Sequence, residues 1–340
     1  MDVIGILTAG GDCPGLNAVV RGVVARATER HDVEMVGIMD GWEGLMEGRT
    51  RPLDRAAVRG ILQRGGTILG TSRRDPYVHG DGYASVRGTL EANGIEALVV
   101  VGGDGTLRSA LRLHEEGLPV VAVPKTIDND IAATELTFGF DTAVQVATEA
   151  IDRLTTTAEA HNRIMLVEVM GRTKGWIAVH AGIAAGADAI LIPELPYDLD
   201  EVARIIRARH RHGHTYSVVV VAEGVQLPNG ARPVQLDALG FERLGGVSHH
   251  LAPLLEERTG FETRVTVLGH VQRGGTPTAF DRVLATRFGV AAADLAVQAR
   301  FGTMVALRCG EMVEVPLVDA CAEIRGVPPA LYDVARTFWG

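Results

Sequence analysis

The chain is expected to be an α/β protein of two Rossmann-like domains with mainly parallel sheets. Two observations carry this expectation: short apolar, β-branched runs recur along the sequence, and segments with helical spacing lie between them. In chain order the runs are Val3 to Leu7, Ala97 to Val101, Val120 to Val123, Ile164 to Val169, Ala189 to Ile192, Val218 to Val221 and Val265 to Leu268. Apolar residues predominate in these runs rather than alternating with polar ones, the pattern of a strand covered on both faces. The first two lead through glycine-rich loops into helical stretches. Asp198 to Arg209 also reads as a helix, with Asp198 and Glu201 as a capping box and Val202, Ile205 and Ile206 on one face. The glycines gather at strand ends, and no low-complexity linker or short repeat interrupts the pattern. In such sheets function sits in the loops at the carboxyl ends of the strands.

At roughly 150 residues per domain, 340 residues suggest two domains, each able to bury its own core. A net charge of −9 argues against a protein that coats nucleic acid or an anionic membrane, since both need a broad basic face. The longest apolar runs fall short of a membrane span, and Met1-Asp2-Val3 lacks the basic start of a signal peptide, so a cytoplasmic location is expected. Cys13, Cys309 and Cys321 have no zinc-like spacing and read as reduced, structural thiols. Of 33 basic residues only Lys125 and Lys174 are lysine, so a phosphate site has to be built mainly from arginine.

Four regions carry chemistry. The loop Thr8 to Asn17 contains Gly10, Gly11 and Gly15, and backbone amides at a helix start suit a phosphate; it has neither the P-loop lysine nor the GxGxxG spacing. Gly102-Gly103-Asp104-Gly105-Thr106 lets a nucleotide approach the backbone, and a lone carboxylate, Asp104, suits Mg²⁺ held through donor phosphates. Pro124 to Asp130 places Asp128 and Asp130 two residues apart. A hydroxyl attacking a phosphoryl group has to lose its proton, and a positioned carboxylate such as one of these suits the base. The fourth region comprises Glu168-Val169-Met170-Gly171-Arg172, Ala222-Glu223-Gly224 and Leu268 to Gly275, with Arg163 and Arg264. Arginine forks make bidentate bonds to phosphate oxygens, and a carboxylate such as Glu223 can accept from hydroxyls.

In this order, from Val3 to about Gly289, the segments resemble the 6-phosphofructokinase family, whose catalytic segment reads TIDND; the GGDGT loop alone also resembles diacylglycerol and NAD kinases. The resemblance implies an active site in the cleft between the domains. It implies a nucleotide-binding domain of 1–139 plus about 272–322, a sugar-phosphate domain of about 140–271 and a C-terminal tail of about 323–340. Asp128 would be the general base with Thr126 as its positioning neighbour, and Arg172 with the Gly171 amide would stabilise the transferring phosphoryl group. Gly10, Arg73, Arg74, Gly103, Asp104, Gly105 and Thr106 would bind the nucleotide, with Asp104 on Mg²⁺. Thr126, Ile127, Asp128, Met170, Gly171, Arg172, Glu223, His270, Val271, Gln272 and Arg273 would meet fructose 6-phosphate. Arg163 and Arg264 would reach its 6-phosphate from a neighbouring subunit, implying a homotetramer or homodimer.

The donor is read as ATP, with diphosphate as the alternative. Lys125 stands where ATP-dependent relatives carry glycine and diphosphate-dependent ones lysine, whereas Gly105 stands where the latter carry an aspartate that would repel the α-phosphate of ATP. A flexible Lys125 is expected to swing aside. A non-catalytic nucleotide sensor on the same fold would lose Asp128 or Arg172, and both are present. Arg21 fits a basic effector position, with Ala25 where a second arginine is expected and Arg26 one place on. His210, His212 and His214 read as a solvated helix terminus.

Overall fold

The computed structural model describes residues 1–78, 82–236 and 242–339. The strands in chain order are β1 (Val3–Thr8), β2 (Glu34–Ile38), β3 (Thr50–Leu53), β4 (Ala97–Gly102), β5 (Val120–Pro124), β6 (Ile164–Val169) and β7 (Ala189–Leu191). They continue with β8 (Ser217–Ala222), β9 (Val234–Leu236), β10 (Glu242–Leu244), β11 (Thr263–Val267), β12 (Thr303–Arg308) and β13 (Glu311–Pro316). The chain divides into two compact units, Met1–Thr142 with Arg273–Arg325 and Ala143–Gln272 with Gly326–Gly340.

The first unit holds a seven-stranded sheet in the order β13-β12-β5-β4-β1-β2-β3. Its five inner strands are parallel, and the two outer ones, β13 and β3, are antiparallel to their neighbours. Every residue of β4 and β5 is buried, which is what their unbroken apolar sequences require. The second unit contains an all-parallel sheet, β11-β6-β8-β7, and the antiparallel pair β9-β10. This is the α/β architecture with mainly parallel sheets that the apolar runs predict. The order reverses between the neighbours β1 and β4, and loops beyond such a switch point are where α/β sheets bind ligands.

Helices Leu16–Arg30 and Ala279–Val297 pack against each other through glycines. A Cβ on Gly289 would lie 2.5 Å from the carbonyl oxygen of Val19, and one on Gly22 would lie 2.9 Å from that of Thr286. Gly289→Ala is therefore expected to destabilise the protein by about 1–3 kcal/mol, the usual cost of overpacking, read from denaturant unfolding. An unchanged midpoint would refute the close crossing. Nearby, the buried carboxylate of Asp281 accepts from the Gly139 and Thr142 amides at 2.9 and 2.8 Å and from the Thr142 hydroxyl at 2.6 Å. It thereby fixes the start of helix Phe140–His161, and burial pushes its pKa up to about 6.

Local expectations need correction at several places. Asp198 caps Leu199–Arg211 by accepting from the Asp200 amide at 2.8 Å, but Glu201 is not the second half of a capping box: it faces Arg204 and Arg336 at 3.7 and 4.0 Å. The Arg209-to-His214 segment is only partly solvated, because Arg209 pairs with buried Asp188 at 2.8 Å and the His210 ring stacks on Phe261 with centroids 3.7 Å apart. The cysteines also divide: Cys13 and Cys321 are buried, while Cys309 is exposed in the turn between β12 and β13. Residues expected as a C-terminal tail include helix Pro329–Arg336, which belongs to the second unit, where the Tyr332 hydroxyl donates to the Ile190 carbonyl at 2.8 Å. Among the described residues no helix is long and apolar enough to cross a membrane.

Candidate active site

The three glycine- and aspartate-bearing loops of the first unit leave the carboxyl ends of β1, β4 and β5 and converge. The Gly10 amide donates to the Ser72 carbonyl at 3.0 Å, and Thr71 Oγ1 donates to the Gly10 carbonyl at 2.6 Å, so the segment carrying Arg73 and Arg74 is laced to the first loop. A Cβ on Gly10 would lie 3.3 Å from Thr106 Oγ1 and 3.6 Å from Lys125 Nζ, which places the three loops within side-chain reach of one another. With φ at +80° there, glycine is the residue that fits both the turn and the space. Arg73 and Arg74 are exposed, and Arg74 lies near Glu43 at 3.4 Å.

Gly103 precedes helix Asp104–Glu115, so Asp104 and Gly105 occupy its first turn. Gly105 is exposed, and a Cβ there would meet no atom within 4 Å. Asp104 Oδ1 accepts from Arg108 Nε at 2.9 Å, one helical turn on, a partner the sequence reading missed although the i,i+4 spacing announces it.

Lys125 corrects an expectation. It is not a mobile side chain free to swing aside: only 3% exposed, it donates from Nζ to the Gly11 carbonyl, and its backbone amide donates to Gly102 at 2.9 Å. Burial pushes its pKa below the ordinary lysine value. Beside it Cys13 is also buried, which raises the thiol to about 12 and leaves it inert. Arg273 completes this group, donating to the Asp12 carbonyl at 3.2 Å, with Nη1 only 2.7 Å from where a Gly11 Cβ would be.

Thr126, Ile127, Asp128, Asn129 and Asp130 are all buried. Thr126 Oγ1 accepts from the Asp128 amide at 3.0 Å, which orients the carboxylate expected to act as base. Thr137 Oγ1 donates to the Thr126 carbonyl at 2.8 Å, and the Thr137 amide donates to Asn129 Oδ1 at 3.0 Å. Asn129 itself has φ +51°, a left-handed conformation that asparagine tolerates better than most residues.

In the second unit Gly171 (φ +145°) and Arg172 (φ +51°) form a tight turn after β6. Glu223 Oε1 accepts from both of their amides, at 3.2 and 2.9 Å, so the carboxylate expected on the sugar also organises the turn expected at the phosphoryl group. Gln272 is fully buried and accepts through Oε1 from the Met170 amide at 2.9 Å, while His270 and Val271 beside it are exposed. Buried Glu168 accepts from the amides of Gly246 and Ser248 at 2.6 and 2.9 Å, a carboxylate at the start of helix Val247–Thr259. Arg163 and Arg264 converge on one carboxylate: Arg163 Nε donates to Glu262 Oε2 at 2.6 Å and Arg264 to Oε1. Arg163 holds the Glu262 carboxyl below its ordinary pKa.

A parallel sheet that delivers glycine turns, a buried aspartate segment and a buried lysine to one set of strand ends is the architecture of an α/β phosphotransferase. The family model described as Phosphofructokinase matches residues 3–296, and the chain belongs to that family. It is 53% identical to a pyrophosphate–fructose 6-phosphate 1-phosphotransferase of Streptomyces coelicolor, over 99% of both chains. It is also 53% identical to ATP-dependent 6-phosphofructokinase 3 of the same organism, over 98% of both. Among solved structures, phosphofructokinase of Pichia pastoris in the T-state superposes with a TM-score of 0.84 at 34% identity, over 99% of this chain and 36% of that one.

Proposed function

We propose that the protein is an ATP-dependent 6-phosphofructokinase, transferring the γ-phosphoryl group of ATP to the 1-hydroxyl of fructose 6-phosphate. Similar relatives named for ATP and for diphosphate stand at equal identity, so the donor has to be read from the site. The observation that carries ATP is the open space at Gly105. Protein atoms leave room there for a carboxylate, so glycine at this position is not dictated by packing and spares the larger donor a facing charge. Buried Lys125 supports the second reading, diphosphate, because its fixed ammonium beside Gly11 suits any short phosphate chain. The test is kcat/KM for each donor with saturating fructose 6-phosphate and Mg²⁺; a preference for diphosphate overturns the reading.

In this reading the residues of 1–139 and about 272–322 serve the donor and those of about 140–271 the sugar phosphate. Asp128 takes the proton of the 1-hydroxyl as it attacks, held by Thr126 through the Asp128 amide. Gly10, Arg73, Arg74 and Gly103 to Thr106 hold the donor, while the Gly171 amide and the exposed Arg172 guanidinium face the charge of the transferring group. Asp104, in the first turn of helix Asp104–Glu115 with one carboxylate oxygen paired to Arg108, is the residue that would hold Mg²⁺ together with donor phosphates. When bound, it spreads the charge developing on the phosphate oxygens.

Arg163 and Arg264 serve the 6-phosphate in a neighbouring subunit of a homo-oligomer, and Glu262 keeps their forks together in the single chain. Arg163→Ala or Arg264→Ala is expected to raise KM for fructose 6-phosphate by about 10- to 200-fold with ATP binding nearly intact, since charge-assisted contacts are worth about 1.5–3 kcal/mol. Mixing Asp128→Asn with Arg163→Ala should restore some turnover in hybrid oligomers, because one subunit then supplies the base and its neighbour the intact arginines. Loss of ATP affinity alone would refute this map.

A further inference from the structure

We infer that Arg325 is a positioning residue for the aspartate loop, acting on the reaction through Asp128; the inference rests on the reading of Asp128 as the base. Arg325 lies outside residues 3–296, the segment that carries the family match, and is the last residue of the first unit before the chain passes into the second. Its Nη2 donates to the Asn129 carbonyl at 3.0 Å and to the Glu135 carbonyl at 2.7 Å, and its Nε adds a longer bond to Asn129 at 3.3 Å. Its backbone amide donates to the Asp130 carbonyl at 2.8 Å, and Ile324 beside it forms an antiparallel bridge with Ile131. A single residue therefore grips the loop at 129, 130 and 135.

The points it grips matter. Asn129 follows Asp128 directly, and the Arg325 guanidinium donates to the carbonyl of this left-handed residue. Glu135 is itself fastened to the sheet: its amide donates to the Leu307 carbonyl at 2.9 Å and its Oε1 accepts from the Cys309 amide at 2.9 Å. The guanidinium thus ties the segment after Asp128 to an anchored neighbour. On the opposite side Asp128 is held by Thr126 Oγ1, and Asn129 by Thr137. Without Arg325 the side toward Thr126 and Thr137 survives and the loop relaxes on the other. A base misplaced by about 1 Å costs up to about 10²-fold in rate.

The test uses the full-length protein with Arg325→Ala and Arg325→Lys. In Arg325→Ala, kcat should fall about 10- to 100-fold, with KM for fructose 6-phosphate and for the donor each within about twofold of the unmodified values. Arg325→Lys, which retains charge but reaches one carbonyl at a time, should be intermediate. Millimolar guanidinium should restore kcat to Arg325→Ala and leave the unmodified protein and Asp128→Asn unimproved. An unchanged kcat in folded Arg325→Ala overturns the inference, as does a loss confined to KM or a folded variant that guanidinium fails to rescue. Should Arg325→Ala not fold, the same kcat-against-KM split read on Arg325→Lys decides. The two readings fail separately: full turnover in Asp128→Asn removes the base, whereas full turnover in Arg325→Ala removes the clamp.

Discussion

Replacing Asp128 by asparagine is expected to lower kcat by about 10²- to 10⁴-fold, the range for loss of a general base, with KM values changed little. Asparagine matches the carboxylate in shape, and the feature that places residue 128 is its backbone amide bonded to Thr126 Oγ1, which survives the change. Only basicity is lost. Thr126→Val should act in the same direction and more weakly, because the proton acceptor remains while its amide loses a partner and its orientation. The measurement is initial rate against each substrate, with unfolding curves to show that the buried segment is intact. Near-normal turnover in Asp128→Asn would remove Asp128 as the base and shift attention to Asp130, two residues on and equally buried.

The seven apolar runs all fall in parallel strands; six are buried almost throughout, because burial on both faces writes itself directly into sequence, whereas the edge strand Thr263–Val267 is only partly covered. Thr303–Arg308 escaped notice although Met304 to Leu307 is a buried apolar run of the same kind, whereas other missed strands are ones the pattern cannot reveal. Glu34–Ile38 begins with an exposed glutamate, Thr50–Leu53 carries Pro52 at an antiparallel edge, and Glu311–Pro316 mixes charged and apolar residues beside Thr303–Arg308. The loops were legible for the same reason as the core strands, since glycine and aspartate at a strand end have few other uses. What could not be read is which way a long side chain turns. Lys125 looked mobile and is buried against Gly11, and Arg325 meets Asn129 from 196 positions downstream. No local pattern records contacts of that kind.

Gly105→Asp is expected to lower kcat/KM for ATP by more than about 10²-fold, because like charges set face to face cost several kcal/mol. The open space around residue 105 lets the variant fold without displacing protein atoms, so the lost activity is assignable to the donor. A diphosphate donor is shorter, and Lys125 already stands by the Gly11 carbonyl to receive it; the variant should therefore keep or gain diphosphate-dependent turnover while ATP use collapses. Lys125→Met separates the two contributions, since methionine fills most of the buried stem volume and removes only the ammonium. Its expected effect is a larger loss with diphosphate than with ATP, the shorter donor having fewer other contacts to fall back on. If Gly105→Asp leaves ATP turnover intact, the space at residue 105 does not face the donor, and the choice between ATP and diphosphate rests with Lys125.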